Sequence, residues 1–224
     1  MTEKKTIGLL TIGQSPRPDM TADLQPIFAE KADYIEAGAL DGLTKKHVES
    51  MKPEPGEHFL VTRLADGSMV TVASRHLSDL MQQQVSRMET EGVSAIMILC
   101  TEAFQPFDCS IPVIYPNDVL KALVPMAAPG GHIGVILPEA GQMEDFAKIW
   151  KETVPDVTAA HGSPYAGDGN LERAAKSFAH TDVDLIVLDC MGYSSVQQKM
   201  VHDLSGKPVL LSRTLAAKVL MELI

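Results

Sequence analysis

Apolar positions along this chain follow two alternating rhythms: short aliphatic and β-branched runs, separated by longer stretches of helical period. Such alternation is the pattern of βαβ units that build a parallel sheet. It predicts strands near 6–12, 33–39, 94–100, 111–115, 132–137, 157–161, 184–190 and 207–212. Helices fit between them, at about 20–31, 75–92, 117–127, 139–152, 169–180, 194–205 and 213–223. Asp19, Asn117, Asn170 and Ser194 suit helix N-caps, and Gly92 and Gly206 suit C-terminal stops. The runs at 94–100 and 184–190 are almost continuously apolar, as central strands covered on both faces should be. One departure breaks the rhythm: 58–64 and 69–74 flank Ala65-Asp66-Gly67-Ser68, an Asp-Gly turn signal that predicts a β-hairpin inserted into the first half.

The two halves align on each other. Ile7-Gly8-Leu9-Leu10 matches Ile133-Gly134-Val135-Ile136, the run 93–100 matches 183–190, and Ile111-Pro112-Val113-Ile114 matches Lys207-Pro208-Val209-Leu210. First strand to cysteine takes 93 residues in one half (7 to 100) and 57 in the other (133 to 190), the hairpin region accounting for much of the excess. Parallel strands resemble one another by composition alone, so chance is the competing account; the shared Cys and Pro landmarks weigh against it. Ala128-Pro129-Gly130-Gly131 has linker composition and lies between the halves. The expected fold is α/β, two pseudo-symmetric parallel-sheet domains with a hairpin insertion in the first. Residues 1–116 with 213–224 would form the first domain, the last helix packing back on it, and 117–212 the second.

Composition narrows the function. With 224 residues, 45% of them apolar, the chain can bury a substantial core. A net charge of -10, with nineteen scattered basic residues, lacks the electrostatic footprint of a nucleic-acid binder. The first apolar run, 6–12, is too short for a bilayer span and has no leader-peptide pattern, and no other run reaches a membrane-spanning length. Three cysteines, Cys100, Cys109 and Cys190, argue against a disulfide framework and for a reducing cytoplasm. The seven histidines show no metal-ligand spacing, and neither a dinucleotide fingerprint nor a phosphate loop is present, so no cofactor is demanded. A homo-oligomer is compatible with the sequence.

The chemistry concentrates where the repeats end. Ligands of parallel α/β sheets bind beyond the carboxyl ends of the strands, and Cys100 and Cys190 terminate the two central runs. A helix N-terminus following each would favour thiolate over thiol. If a rough two-fold axis relates the halves, both thiols can face one cleft, one removing a proton from carbon and the other supplying one to the opposite face. The plain alternative is a pair of small buried hydrophobes. Cys109 has no counterpart and is read as structural. In Gly13-Gln14-Ser15-Pro16-Arg17-Pro18-Asp19 the prolines stiffen the loop, Ser15 can donate a hydrogen bond, and Arg17 offers a planar fork for a carboxylate. Arg17 could instead pair with Asp19. Tyr193 and Ser194 extend the second cysteine loop, Ser194 more simply as a cap, and Glu102 can act beside Cys100 or only offset a helix dipole.

That long motif, with Leu188-Asp189-Cys190-Met191-Gly192-Tyr193-Ser194, resembles the AroM family, within the aspartate/glutamate/hydantoin racemase superfamily. The resemblance implies an Asp/Glu racemase-like fold, and it implies that Cys100 and Cys190 are paired acid/base cysteines. Thr101, with the amides after each cysteine, including those of Glu102, Met191 and Gly192, takes the position that grips a substrate carboxylate; Ser15 falls where a substrate-contacting serine stands. It also departs from the superfamily, in which Thr-His commonly follows the second cysteine; here Met191-Gly192 follow Cys190, and the first motif reads Cys-Thr-Glu. The implied function is a cofactor-independent racemase, isomerase or related carbon-acid enzyme, a decarboxylase included, acting on a small carboxylate. The competing function is a non-catalytic binding or regulatory protein for an anionic metabolite.

Overall fold

A computed structural model describes residues 4–142, 148–167 and 169–224. The chain divides into two compact units, Met1–Tyr115 with Val219–Ile224, and Pro116–Lys218.

The first unit carries β1 (Lys5–Thr11), α1 (Pro18–Phe28), β2 (Ala32–Gly38), α2 (Lys45–Glu49), β3 (Phe59–Arg63), β4 (Met69–Ala73), α3 (Leu77–Thr90), β5 (Ile96–Ile98) and β6 (Val113–Ile114). Four of these strands form one sheet in the order β2-β1-β5-β6, every pairing parallel. The second unit carries α4 (Pro116–Ala127), β7 (His132–Leu137), β8 (Asp156–His161), α5 (Asn170–Ser177), β9 (Leu185–Leu188), α6 (Ser195–Ser205), β10 (Val209–Leu211) and α7 (Ser212–Met221). Its sheet runs β10-β9-β7-β8, again all parallel, which is the first sheet's order read backwards. The expected helix over 139–152 lies partly outside the described residues; 148–151 are helical. As its Asp-Gly turn predicts, β3 and β4 form the inserted antiparallel hairpin.

The repeat extends to single hydrogen bonds. Ser94 donates its N–H to Thr6 O, as Asp184 does to His132 O, both at 2.8 Å. Ile96 donates to Pro112 O at 2.9 Å, and Ile186 to Pro208 O at 2.8 Å. Gly8 sits opposite Ile96 in one sheet, and Gly134 opposite Ile186 in the other. Both glycines lie under closely packed helices: a Cβ at Gly8 would meet Met88 of α3, and one at Gly134 would meet Phe178 at the end of α5.

Cores form on the faces of each sheet. Leu10, Val85, Met88, Ile96 and Ile98 are buried in the first unit; Ile136, Ala175, Phe178 and Ile186 are buried in the second. Helix ends differ from expectation at three starts. Pro18 opens α1 after Arg17 as the cap, with Asp19 inside the first turn, because proline's fixed φ suits the first helical position. Pro116 likewise opens α4, leaving Asn117 in its first turn, and Gly169, at φ +75°, precedes Asn170 in α5. Ser194 does cap α6 through a capping box with Gln197, and Gly206 ends it in the left-handed region at φ +68°.

Candidate active site

In each sheet the strand order reverses at the first strand of the unit, β1 or β7, and the crevice beside it is where α/β proteins hold ligands. In the first unit the loops after the adjacent parallel strands β1 and β5 leave from this edge, one carrying Ser15 and Arg17, the other Cys100, Thr101 and Glu102. In the second, the loop after β9 brings Cys190, Met191, Gly192 and Tyr193 to the corresponding edge.

The motif loop of the first unit is built around Asp41, whose carboxylate accepts three hydrogen bonds. They come from the N–H and Oγ of Ser15, each at 2.7 Å, and from the N–H of Gly38 at 2.7 Å. Ser15 therefore spends its proton on Asp41 and offers lone pairs to whatever approaches. Gln14 locks the same loop from three sides: its amide nitrogen donates to Leu40 O and Leu43 O, both at 3.0 Å, and its oxygen accepts from Ala65 N at 2.9 Å. Arg17 is 3% exposed. Its fork donates to both oxygens of Asp19, at 2.9 and 2.8 Å, and to Thr11 Oγ1 at 3.1 Å, while its backbone N–H meets Glu36 Oε2 at 2.6 Å. The local pairing with Asp19 is thus present.

Cys100 stands two residues past β5, half-buried, its sulfur accepting the backbone N–H of Glu102 at 3.5 Å. Leu99 N donates to Leu10 O at 2.7 Å and fixes where the strand stops. The expected helix N-terminus does not follow: between Cys100 and β6 the described backbone is non-helical, in a stretch broken by Pro106 and Pro112. The backbone N–H that meets this thiol belongs to the loop and not to a helix. Glu102 pairs with His58 at 3.2 Å, the carboxylate side chain 19% and the imidazole 55% exposed. Cys109 lies apart from this edge, and burial above all, then Glu89 and Asp108, pushes its thiol up.

Cys190 repeats the arrangement. Asp189 N donates to Ile136 O at 3.1 Å, and the half-buried Cys190 sulfur accepts the N–H of Gly192 at 3.3 Å. In both units the sulfur takes the amide two residues on, an interaction that favours the charged thiolate. Helix α6 follows, but Ser194 already caps its first turn. Met191 is buried, and Tyr193 is fully buried with its hydroxyl donating to Gly162 O at 2.7 Å. Burial first, then Cys190, Asp189, Tyr165 and Glu139, pushes the Tyr193 phenol well above its ordinary value. A Cβ at Gly192 would collide with the Tyr165 hydroxyl and touch Pro164, so a side chain there, such as the superfamily's histidine, would have to displace Tyr165.

Sequence reading missed four residues of these edges. Asp41, His58, Trp150 and Arg213 act across long separations: Trp150 Nε1 donates to buried Asp189 Oδ2 at 2.7 Å, and buried Arg213 donates to the carbonyls of Met191 and Gly192 at 2.8 and 3.0 Å. No short spacing links them to their partners; an arginine one residue into a helix after a terminal strand is the one local hint.

A four-strand sheet repeated twice, each copy with a cysteine at the same strand end, defines a racemase-like α/β protein. Solved structures share that fold. Allantoin racemase from Klebsiella pneumoniae superposes with a TM-score of 0.65 at 14% identity, covering 98% of this chain and 87% of its own. The maleate isomerase Iso from Pseudomonas putida S16 gives 0.64 at 12% identity, covering 98% and 92%, and an unliganded arylmalonate decarboxylase gives 0.59 at 15%, covering 98% and 92%. These neighbours are members of the aspartate/glutamate/hydantoin racemase superfamily. The profile of the family described as AroM protein matches residues 7–224, and the chain belongs to that family. A comparison with curated protein sequences finds no match. Among the described residues, no helix is long and apolar enough to cross a membrane.

Proposed function

We propose that this AroM-family protein is a cofactor-independent racemase or isomerase of a small carboxylate, with Cys100 and Cys190 as its acid/base pair. The observation that carries this reading is the matched environment of the two thiols. Each follows the third strand of its unit's parallel sheet, and each accepts the amide two residues on, from Glu102 and from Gly192. Racemases, an isomerase and a decarboxylase among the structural neighbours support the same class of carbon-acid chemistry.

In the proposed reaction one thiolate removes the proton from the carbon beside the carboxylate and becomes a thiol. The resulting carbanion, delocalised into its carboxylate, takes a proton from the opposite thiol, which becomes the thiolate, so protons and charge balance. The Thr101 hydroxyl and the N–H groups directly after each cysteine, those of Thr101 and Met191, would hold the carboxylate, with Ser15 accepting a hydrogen bond from a donor on the substrate. Arg17, Met191 and Tyr193 would shape the loops from beneath, since their side chains are buried. Three free cysteines accord with a reducing, cytoplasmic setting.

Solvent deuterium exchange tests the reading. A panel of D- and L-amino acids, hydantoins and 2-substituted malonates in D2O should yield at least one substrate that gains deuterium beside its carboxyl or carbonyl group. Cys100→Ala and Cys190→Ala should each slow that exchange by a factor on the order of 100 to 10,000. Full exchange in both variants would overturn the two-thiol mechanism. Saturable binding of a panel carboxylate with no exchange and no turnover would favour the binding-protein reading instead.

A further inference from the structure

Two consecutive peptide groups are strung between Cys190 and Arg213. The Met191–Gly192 peptide points its N–H at Cys190 Sγ, 3.3 Å away, and its carbonyl at Arg213 Nε, 2.8 Å away. The Gly192–Tyr193 peptide points its N–H at Cys190 O, 3.3 Å away, and its carbonyl at Arg213 Nη2, 3.0 Å away. A trans peptide holds its N–H and C=O antiparallel, so a donor that fixes the carbonyl also aims the amide. Here one guanidinium aims both. The residue is only 1% exposed, which holds the fork in place and keeps water from competing for the carbonyls.

We propose that Arg213 is a positioning residue for Cys190: by gripping the carbonyls of Met191 and Gly192 it aims the Gly192 amide at the sulfur and relays positive charge to it, favouring the thiolate. The proposal rests on the reading that Cys190 is a working thiol. It explains why a glycine suffices after Met191, because recognition at this loop is carried by backbone that a remote cation orients. Its chemistry is polarisation along hydrogen bonds, with no bond formed or broken at Arg213.

Other groups act on the same loop. Asp189 precedes the thiol, Tyr193 follows it, and Tyr165 and Glu139 approach from the loops after β8 and β7. Asp189, Glu139 and the phenols oppose a thiolate when charged, and the cation at Arg213 acts in the opposite sense through the two carbonyls it grips, so its removal is readable at the sulfur.

The test is competitive labelling by iodoacetamide, mapped by peptide mass, with Cys100 of the same molecule as the internal control. In Arg213→Met the labelling rate of Cys190 should fall about tenfold, and the pH midpoint of that rate should rise, while the rate at Cys100 stays within about twofold. Arg213→Lys keeps the charge and one carbonyl contact and should fall about threefold, so the ratio in this variant decides the matter if Arg213→Met does not fold. A wild-type Cys190 that labels rapidly and keeps its rate and midpoint in the folded variants overturns the role of Arg213 alone. A wild-type Cys190 no faster than Cys109 overturns the reading of the thiol, and this proposal with it.

Discussion

Ser15 donates its hydroxyl proton to Asp41 Oδ2 at 2.7 Å, across twenty-six residues of sequence. The same carboxylate takes the amides of Ser15 and Gly38, so one side chain fixes the loop after β1 against the end of β2. Asp41→Ala leaves these donors without their acceptor and should cost about 1–3 kcal/mol, with Asp41→Asn costing less. Urea unfolding measures the loss, and faster amide exchange at Ser15 and Gly38 locates it. Unchanged exchange at both amides would contradict the assignment.

The paired strand glycines predict an unequal response to the same substitution. A Cβ at Gly8 would lie 2.6 Å from the sulfur of Met88, a flexible side chain that can swing aside; at Gly134 it would lie 2.7 Å from a ring carbon of Phe178, which is wedged in the core. Gly134→Ala should therefore destabilise by about 1–3 kcal/mol and Gly8→Ala by less than about 1 kcal/mol. Equal losses in urea unfolding would show that the two helices pack on their sheets with the same tolerance.

Tyr193 makes stability fall in alkali. Burial raises its folded-state value well above the ordinary 10.0, with help from Cys190 and Asp189, so the folded protein holds this proton after the unfolded chain has released it. The unfolded state then binds fewer protons, and stability declines as pH rises from about 10 towards the higher folded value. Tyr193→Phe should lose about 1 kcal/mol at neutral pH with the bond to Gly162 O, yet show a shallower alkaline decline. Urea midpoints of the two proteins across that range give the comparison; parallel declines would contradict it.

How much of this was legible in the sequence follows the range of the interactions. Strands were readable because each is a short apolar run, and the hairpin because Ala65-Asp66-Gly67-Ser68 carries its own turn chemistry. Helix starts slipped where Pro18 and Pro116 compete with capping side chains for the first position. The cysteine edges were legible as a repeat, since Cys100 and Cys190 end runs of the same composition. Their surroundings were not. Asp41 meets Ser15, Trp150 meets Asp189 and Arg213 meets Met191 across 26, 39 and 22 residues, and no local pattern encodes such partners. Arg17 shows the converse: its partner Asp19 is two residues away, and the sequence offers that local pairing as the alternative to a ligand contact. The helix N-terminus expected to favour the Cys100 thiolate is not there: the apolar pattern places no helix between 100 and 111, and Pro106 and Pro112 break that stretch.

The central claim is that Cys100 and Cys190 serve one ligand, and a short bis-alkylating reagent tests it most directly. Dibromobimane joins two thiols only when they lie within a few ångströms of each other, and fluoresces once both have reacted. The account predicts a fluorescent intramolecular bridge between the Cys100 and Cys190 peptides, lost in Cys100→Ala and in Cys190→Ala and retained in Cys109→Ala. Single alkylation of either cysteine, with no bridged peptide in the wild-type protein, would contradict it.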